Sequence, residues 1–158
     1  YLSGIDDNAL KLLAPVMKVL EKNKNMPCMI HTNEPVGHQY PGKTPITPEQ
    51  IYKLAQTFPE NRIILAHWGG GIFLYNLMKK DAKTILKNIW YDTAATVFLY
   101  DPQIYDTALT AGILDKILFG TDYPLLSPDR YYKDLDRSGV SLEQKECVLG
   151  KNAVELYF

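Results

Sequence analysis

RIILAHWGGG, residues 62–71, sets an unbroken apolar run against one histidine and then three glycines. A short continuous apolar run, rather than an alternating one, reads as a strand buried on both faces. Such a strand needs no imidazole at its end, and a turn needs one glycine rather than three. The meaning of His67 therefore depends on whether the chain repeats the pattern, and it does. MPCMIHTN closes an apolar run on His31, NIWYDTAA ends a third near Asp92, and KILFGTDYP places Asp122 just past a fourth.

Helical segments separate these runs. Leu10, Leu13, Met17 and Leu20 follow helical spacing. Pro15 lies among them, which predicts a short turn and then a main helix that Pro15 opens. TPEQIYKLAQTF predicts a helix with Thr47 as N-cap, Pro48 in first position, and Ile51, Leu54, Ala55 and Phe58 on one face. GIFLYNLMKKDAKTIL reads as a helix after the glycines, and DPQIYDTALTAG as one stopped by Gly112. Two helices close the chain, from Ser127 with Pro128 first, and from Ser141 with Gln144 completing a capping box. The order αβαβαβαβαα demands crossovers and hence parallel strands. All strand C-termini then share one edge, where α/β proteins build their sites.

Composition narrows the classes. The 158 residues fit a single domain, 1–158, with 46% hydrophobic and 22% charged residues. Lys+Arg total 17 against Asp+Glu 18, with no basic stripe, which argues against a nucleic-acid partner. No apolar run is long enough to cross a bilayer, which argues against a membrane partner. Cys28 and Cys147 lie far apart without metal-type spacing, as expected of a reducing, cytoplasmic compartment. The chain begins with Tyr1, as expected of a processed chain or a piece of a longer one.

His31, His67, Asp92 and Asp122 would thus gather on one edge. Imidazole and carboxylate suit zinc and related divalent ions, which can turn a bound water into a nucleophile near neutral pH. A free carboxylate or imidazole there can move the proton. Plainer readings stand beside these: a structural histidine at 31, a capping aspartate at 122, a hydrogen-bonding aspartate at 92, and turn chemistry in the glycines. His38 and Lys43, in a Pro/Gly-rich loop, and Trp68, beside the glycines, are candidate substrate contacts; a solvated loop is the alternative for the first two. The glycines are expected to keep bulk away from a ligand against His67. Tyr131 and Tyr132 read as packing surfaces.

Together, MIHTNEPVGHQYPGK, IILAHWGGG, WYDTAA, ILFGTDYP and GKNAVELYF resemble the amidohydrolase superfamily, in its amidohydrolase-2 branch of metal-dependent hydrolases and decarboxylases. The resemblance implies an α/β fold that is the C-terminal half of a (β/α)8 TIM barrel, with strands five to eight parallel. His31 matches the metal-ligating histidine ending the fifth strand. His67 matches the histidine of the sixth, which contacts the metal-bound water or substrate. Asp122 matches the aspartate of the eighth, a metal ligand and the base for the water. Asp92 falls on the seventh strand, where the family has no fixed role. The first-strand HxH or ExH pair is missing, and a full barrel takes roughly 250 residues. The expectation is therefore a partial barrel lacking strands one to four, with weak metal affinity. Its bare sheet edges and apolar inner face should drive homo-oligomerisation, flattening into an ordinary α/β sandwich, or association with a missing N-terminal half. The resemblance further implies a small-molecule substrate and zinc-dependent hydrolysis of a C–N or C–O bond. Decarboxylation and a non-catalytic half-barrel are the alternatives.

Overall fold

The four apolar runs become β1 (Cys28–Ile30), β2 (Ile63–Leu65), β3 (Ile89–Asp92) and β4 (Ile117–Leu118) in a computed structural model that describes residues 4–44, 46–79 and 81–158. They form one parallel sheet in the order β1-β2-β3-β4. Ile63 pairs with both Cys28 and Ile89, and Tyr91 with both Leu65 and Ile117. An order that follows the chain without reversal is that of a barrel wall; a doubly wound sheet reverses at a switch point. The helices are α1 (Asp7–Lys22), α2 (Pro48–Thr57), α3 (Ala82–Ile85), α4 (Thr96–Leu99), α5 (Ile104–Ala111), α6 (Pro128–Arg137), α7 (Leu142–Glu146) and α8 (Asn152–Tyr157). None of them is long and apolar enough to cross a membrane. This is the expected half of a (β/α)8 wall.

Period-two alternation divides the sheet into two faces. Ile63, Leu65, Ile89, Tyr91 and Ile117 enter the main core with Met17, Ile51, Leu54, Phe73 and Ala108 from the helical layer. Each large side chain so buried contributes roughly 1.5–3 kcal/mol. The register sets Met29, Ile64 and Trp90 in a row on the other face, with Leu118 opposite Asp92. That inner face is not bare, contrary to expectation. Leu156 of α8 packs with Ile64 and Leu118, against Trp90 and Ala153, and Arg62 donates to the Leu156 carbonyl at 2.6 Å. The face opens at the β1 margin, where Met29 keeps 59% of its surface exposed.

The N-terminal edge of the sheet is stitched by asparagine amides. Asn25 donates to the Glu60 carbonyl at 2.7 Å and Asn61 to that of Met17 at 2.9 Å. Asn88 serves Phe58 and Asn61 at 2.8 and 2.9 Å, and Asn152 serves Leu114 and Ile117, both at 2.8 Å. These amides join the connections to the ends of α1 and β4, and the bonds of Asn61, Asn88 and Asn152 are buried, where an unpaired carbonyl would be costly.

Three expectations about helices need correction. First, α1 runs unbroken through Pro15. Pro15 and Lys11 lie on the exposed face, so the carbonyl that loses its bond meets water, while Leu10 and Met17 hold the buried face together. Second, 71–86, of which residue 80 lies outside the described residues, is not one helix: 3-10 turns run to Leu77, Met78 turns extended, and among the described residues of this stretch only Ala82–Ile85 is α-helical. Third, the last segment is helical but widens into a π turn over Cys147–Lys151 between α7 and α8. The capping boxes at Thr47–Gln50 and Ser141–Gln144 both form.

Candidate active site

The C-terminal edge is built by the same alternation. His31 follows Ile30 and inherits the inner face from Met29; Asp92 inherits it from Trp90. Alternation alone would send residue 67 to the helical side with Leu65. The backbone instead turns left-handed: φ is 100° at His67, 44° at Trp68, and 61°, 58° and 86° at the three glycines that follow. That turn brings the His67 ring edge to face against His31, with centroids 5.0 Å apart and planes at 78°.

Two of the three glycines are required by the protein's own packing. A Cβ at Gly70 would sit 2.6 Å from the Asn33 carbonyl oxygen. One at Gly69 would sit 2.7 Å from Ile72 Cγ2 and 3.0 Å from the Tyr91 ring. The bare backbone lets the β2 connection lie against the β1 connection and over a core tyrosine.

Asp92, only 5% exposed, accepts two backbone hydrogen bonds at Oδ1, from the His67 N–H at 3.1 Å and the Ala94 N–H at 3.0 Å. His67 Nδ1 lies 3.1 Å from the Ala94 carbonyl. A carbonyl only accepts, so Nδ1 carries a proton, and in the neutral ring Nε2 keeps its lone pair. Burial pushes the Asp92 carboxyl up to about 6; His67 and the Ala94 N–H hold it down, and Asp122 adds to the rise. Partial burial keeps His31 below the ordinary histidine pKa, His67 adds to this, and Asp122 opposes it. His31 Nε2 lies 3.3 Å from the Tyr40 hydroxyl. Asp122 is exposed, at φ 56°, in a turn where its carbonyl accepts from the Leu125 N–H at 2.9 Å.

Several residues without a sequence signal hold these ends in place. The Thr93 hydroxyl donates to the Gly120 carbonyl at 2.9 Å and accepts its N–H at 3.0 Å. The buried Tyr131 hydroxyl accepts from the Ala95 N–H at 3.0 Å and donates to the Thr121 carbonyl at 2.9 Å. It is therefore more than a packing surface: it ties the β3 end to the β4 end. Tyr100 donates to the Glu34 carboxylate, which closes the β1 connection onto the segment after α4. These partners lie 10 to 66 residues apart, and no local motif marks them.

Of the proposed site residues, His31 and His67 touch, and Asp122 is near enough to bias the charge of His31. His38 is exposed in the 34–44 loop. Lys43 braces that loop, its Nζ donating to the Gly37 and Pro35 carbonyls at 2.9 and 3.4 Å. Trp68 leaves the substrate-binding set: it is fully buried between Phe73 and Tyr105 and donates through Nε1 to Thr96 Oγ1 at 2.7 Å. The left-handed turn that presents His67 to the inner face sends Trp68 into the core.

The imidazole and carboxylate donors of His31 and Asp122 suit a divalent ion. Yet among the described residues no three His, Cys, Asp or Glu side chains are grouped to hold a metal. His31 and Asp122 alone are an incomplete shell.

The family model described as Amidohydrolase, of the Amidohydro_2 group, matches residues 2–158. No curated protein matches the chain. Among solved structures, a TIM-barrel protein of Bordetella bronchiseptica is 22% identical, with a TM-score of 0.71 over 97% of this chain and 51% of its own. The 5-carboxyvanillate decarboxylase of Sphingomonas paucimobilis is 15% identical, with a TM-score of 0.70 over 90% and 52%. A dihydroxybenzoic acid decarboxylase of Polaromonas sp. JS666, with bound manganese and the inhibitor 2-nitroresorcinol, is 19% identical, with a TM-score of 0.61 over 90% and 52%. The chain thus spans about half the length of the structures it matches. At these identities the likeness speaks for the fold.

Proposed function

Because the chain belongs to the amidohydrolase family, we propose that it supplies half of the active site of an enzyme that hydrolyses a C–N or C–O bond in a small organic molecule, with a divalent metal, zinc, as cofactor. The observation that supports this reading is the His31–His67 pair, locked edge to face on the inner side of the strand ends. His67 Nε2 exchanges a proton with the reacting group, and the Asp122 carboxylate takes the proton that the attacking water gives up. His31 and Asp122 are the proposed metal ligands, to be joined by others from outside this set. The loop carrying His38, braced by Lys43, faces the substrate. The two free cysteines fit a cytoplasmic setting. The open β1 margin at Met29 fits a homo-oligomer or a covering N-terminal half.

A second reading is decarboxylation, favoured by the likeness to two decarboxylases. There the C–CO2 bond breaks and the carbon left behind takes a proton from His67 or Asp122. The test is a panel of amides, lactones and aromatic carboxylic acids offered to the full-length protein with Zn2+ or Mn2+. His67→Ala is expected to lower turnover by about 100-fold or more at unchanged metal content. Loss of metal with retained activity overturns these roles, and CO2 release selects the second reading. Turnover of nothing on the panel favours a non-catalytic half-barrel.

A further inference from the structure

Asp92 has no part in the proposed chemistry, yet it is a buried carboxylate at the end of an inner-face strand. Its Oδ1 collects two N–H groups from two different strand ends, His67 after β2 and Ala94 after β3. The same two residues meet a second time, through His67 Nδ1 and the Ala94 carbonyl. His67 is therefore gripped at backbone and ring by one short segment, Asp92–Ala94, while holding a φ of 100° that an L-residue adopts only when its surroundings impose it. We infer that Asp92 is a positioning residue: it draws the Ala94 carbonyl onto His67 Nδ1, fixes the Nδ1–H tautomer, and leaves Nε2 as the nitrogen available for proton exchange.

The geometry separates two properties of Asp92. Both donors are N–H groups, so an amide oxygen serves as well as a carboxylate oxygen, and Asp92→Asn keeps the grip. Asp92→Ala removes it, and Asp92→Glu keeps the charge while displacing the oxygen by one methylene.

The test is the imidazole 15N spectrum of the full chain, which has three histidines. The exposed His38 serves as internal reference. The wild type and Asp92→Asn are expected to show His67 as the Nδ1–H tautomer alone. In Asp92→Ala, or in Asp92→Glu should that variant not fold, the Nε2–H form is expected to appear, with His38 unmoved. The His67 and Ala94 amides should then exchange about tenfold faster or more. An unchanged His67 tautomer in the folded Ala or Glu variant overturns the proposal, as does its loss in Asp92→Asn. The consequence for turnover rests on the proposed role of His67: kcat is expected to fall about 100-fold in Asp92→Ala with KM nearly constant. A changed tautomer with unchanged turnover upholds the positioning and removes His67 from the proton transfer.

Discussion

The two edges of the sheet are built from opposite materials. At the N-terminal edge, neutral asparagine amides each serve one or two carbonyls, and among the described residues no charged side chain there is buried. At the C-terminal edge, a buried carboxylate, two imidazoles in contact, and positive φ at His67, Trp68 and Asp122 crowd together. The first edge lowers the energy of the fold. The second holds conformations and charge states that cost free energy and persist because the surrounding structure imposes them. In a parallel α/β sheet that asymmetry is what separates the stabilising end from the chemical one.

The comparison breaks most visibly at Asn152. Asn152→Ala leaves two buried carbonyls without their donor, and a loss of roughly 2–4 kcal/mol is expected. In a thermal melt this is a fall on the order of 5–15 °C for a chain of this size. The His67 imidazole spectrum should stay as it is, since the damage lies at the far edge. A changed His67 tautomer in that variant would show that the two edges are not independent.

Asp92 sharpens the contrast from the other side. Its carboxyl is raised to about 6 in the fold from an ordinary 3.8. The folded state thus holds a proton that the unfolded chain releases, and stability falls as pH rises from about 4 to about 6. Above that window the cost of burying the charge is fully present, on the order of 2–3 kcal/mol. Asp92→Asn keeps the acceptor and removes the charge. It is expected to be more stable than wild type at pH 7 and 8 by up to that amount, and to lose the pH dependence of the Asp92 step. Urea denaturation at pH 4, 6 and 8 measures both; an Asn variant no more stable at pH 8 would mean that the carboxylate is better solvated than its burial implies.

The smallest effect is expected at the helix starts, which belong to neither edge's chemistry. Ser141→Ala removes the acceptor for the Gln144 N–H and half of the capping box, for a loss of about 1 kcal/mol. The same denaturation measurement reads it, with the activity of the folded fraction unchanged.

The sequence carried the parts of this protein that depend on neighbours in the chain. Continuous apolar runs marked all four strands, and the order of elements implied parallel pairing. Ser141 and Gln144 announced their own capping box, and the repetition of polar residues at the ends of the runs located the candidate site. Those signals are local, because periodicity, propensity and capping act over a few residues. What needed the tertiary structure was everything set by distant partners. α1 passes through Pro15 because the face carrying it meets water. Gly70 and Gly69 of HWGGG make room for Asn33, from the connection after β1, and for Tyr91 of β3. Trp68 is turned into the core and His67 out of it by one left-handed turn. Asp92, a plain aspartate in WYDTAA, gains its place only when His67 and Ala94 are brought to the same oxygen. A hydrogen bond across 25 residues leaves no trace in spacing, so the chemistry of this edge was legible as a list of residue types, and its arrangement was decided by folding.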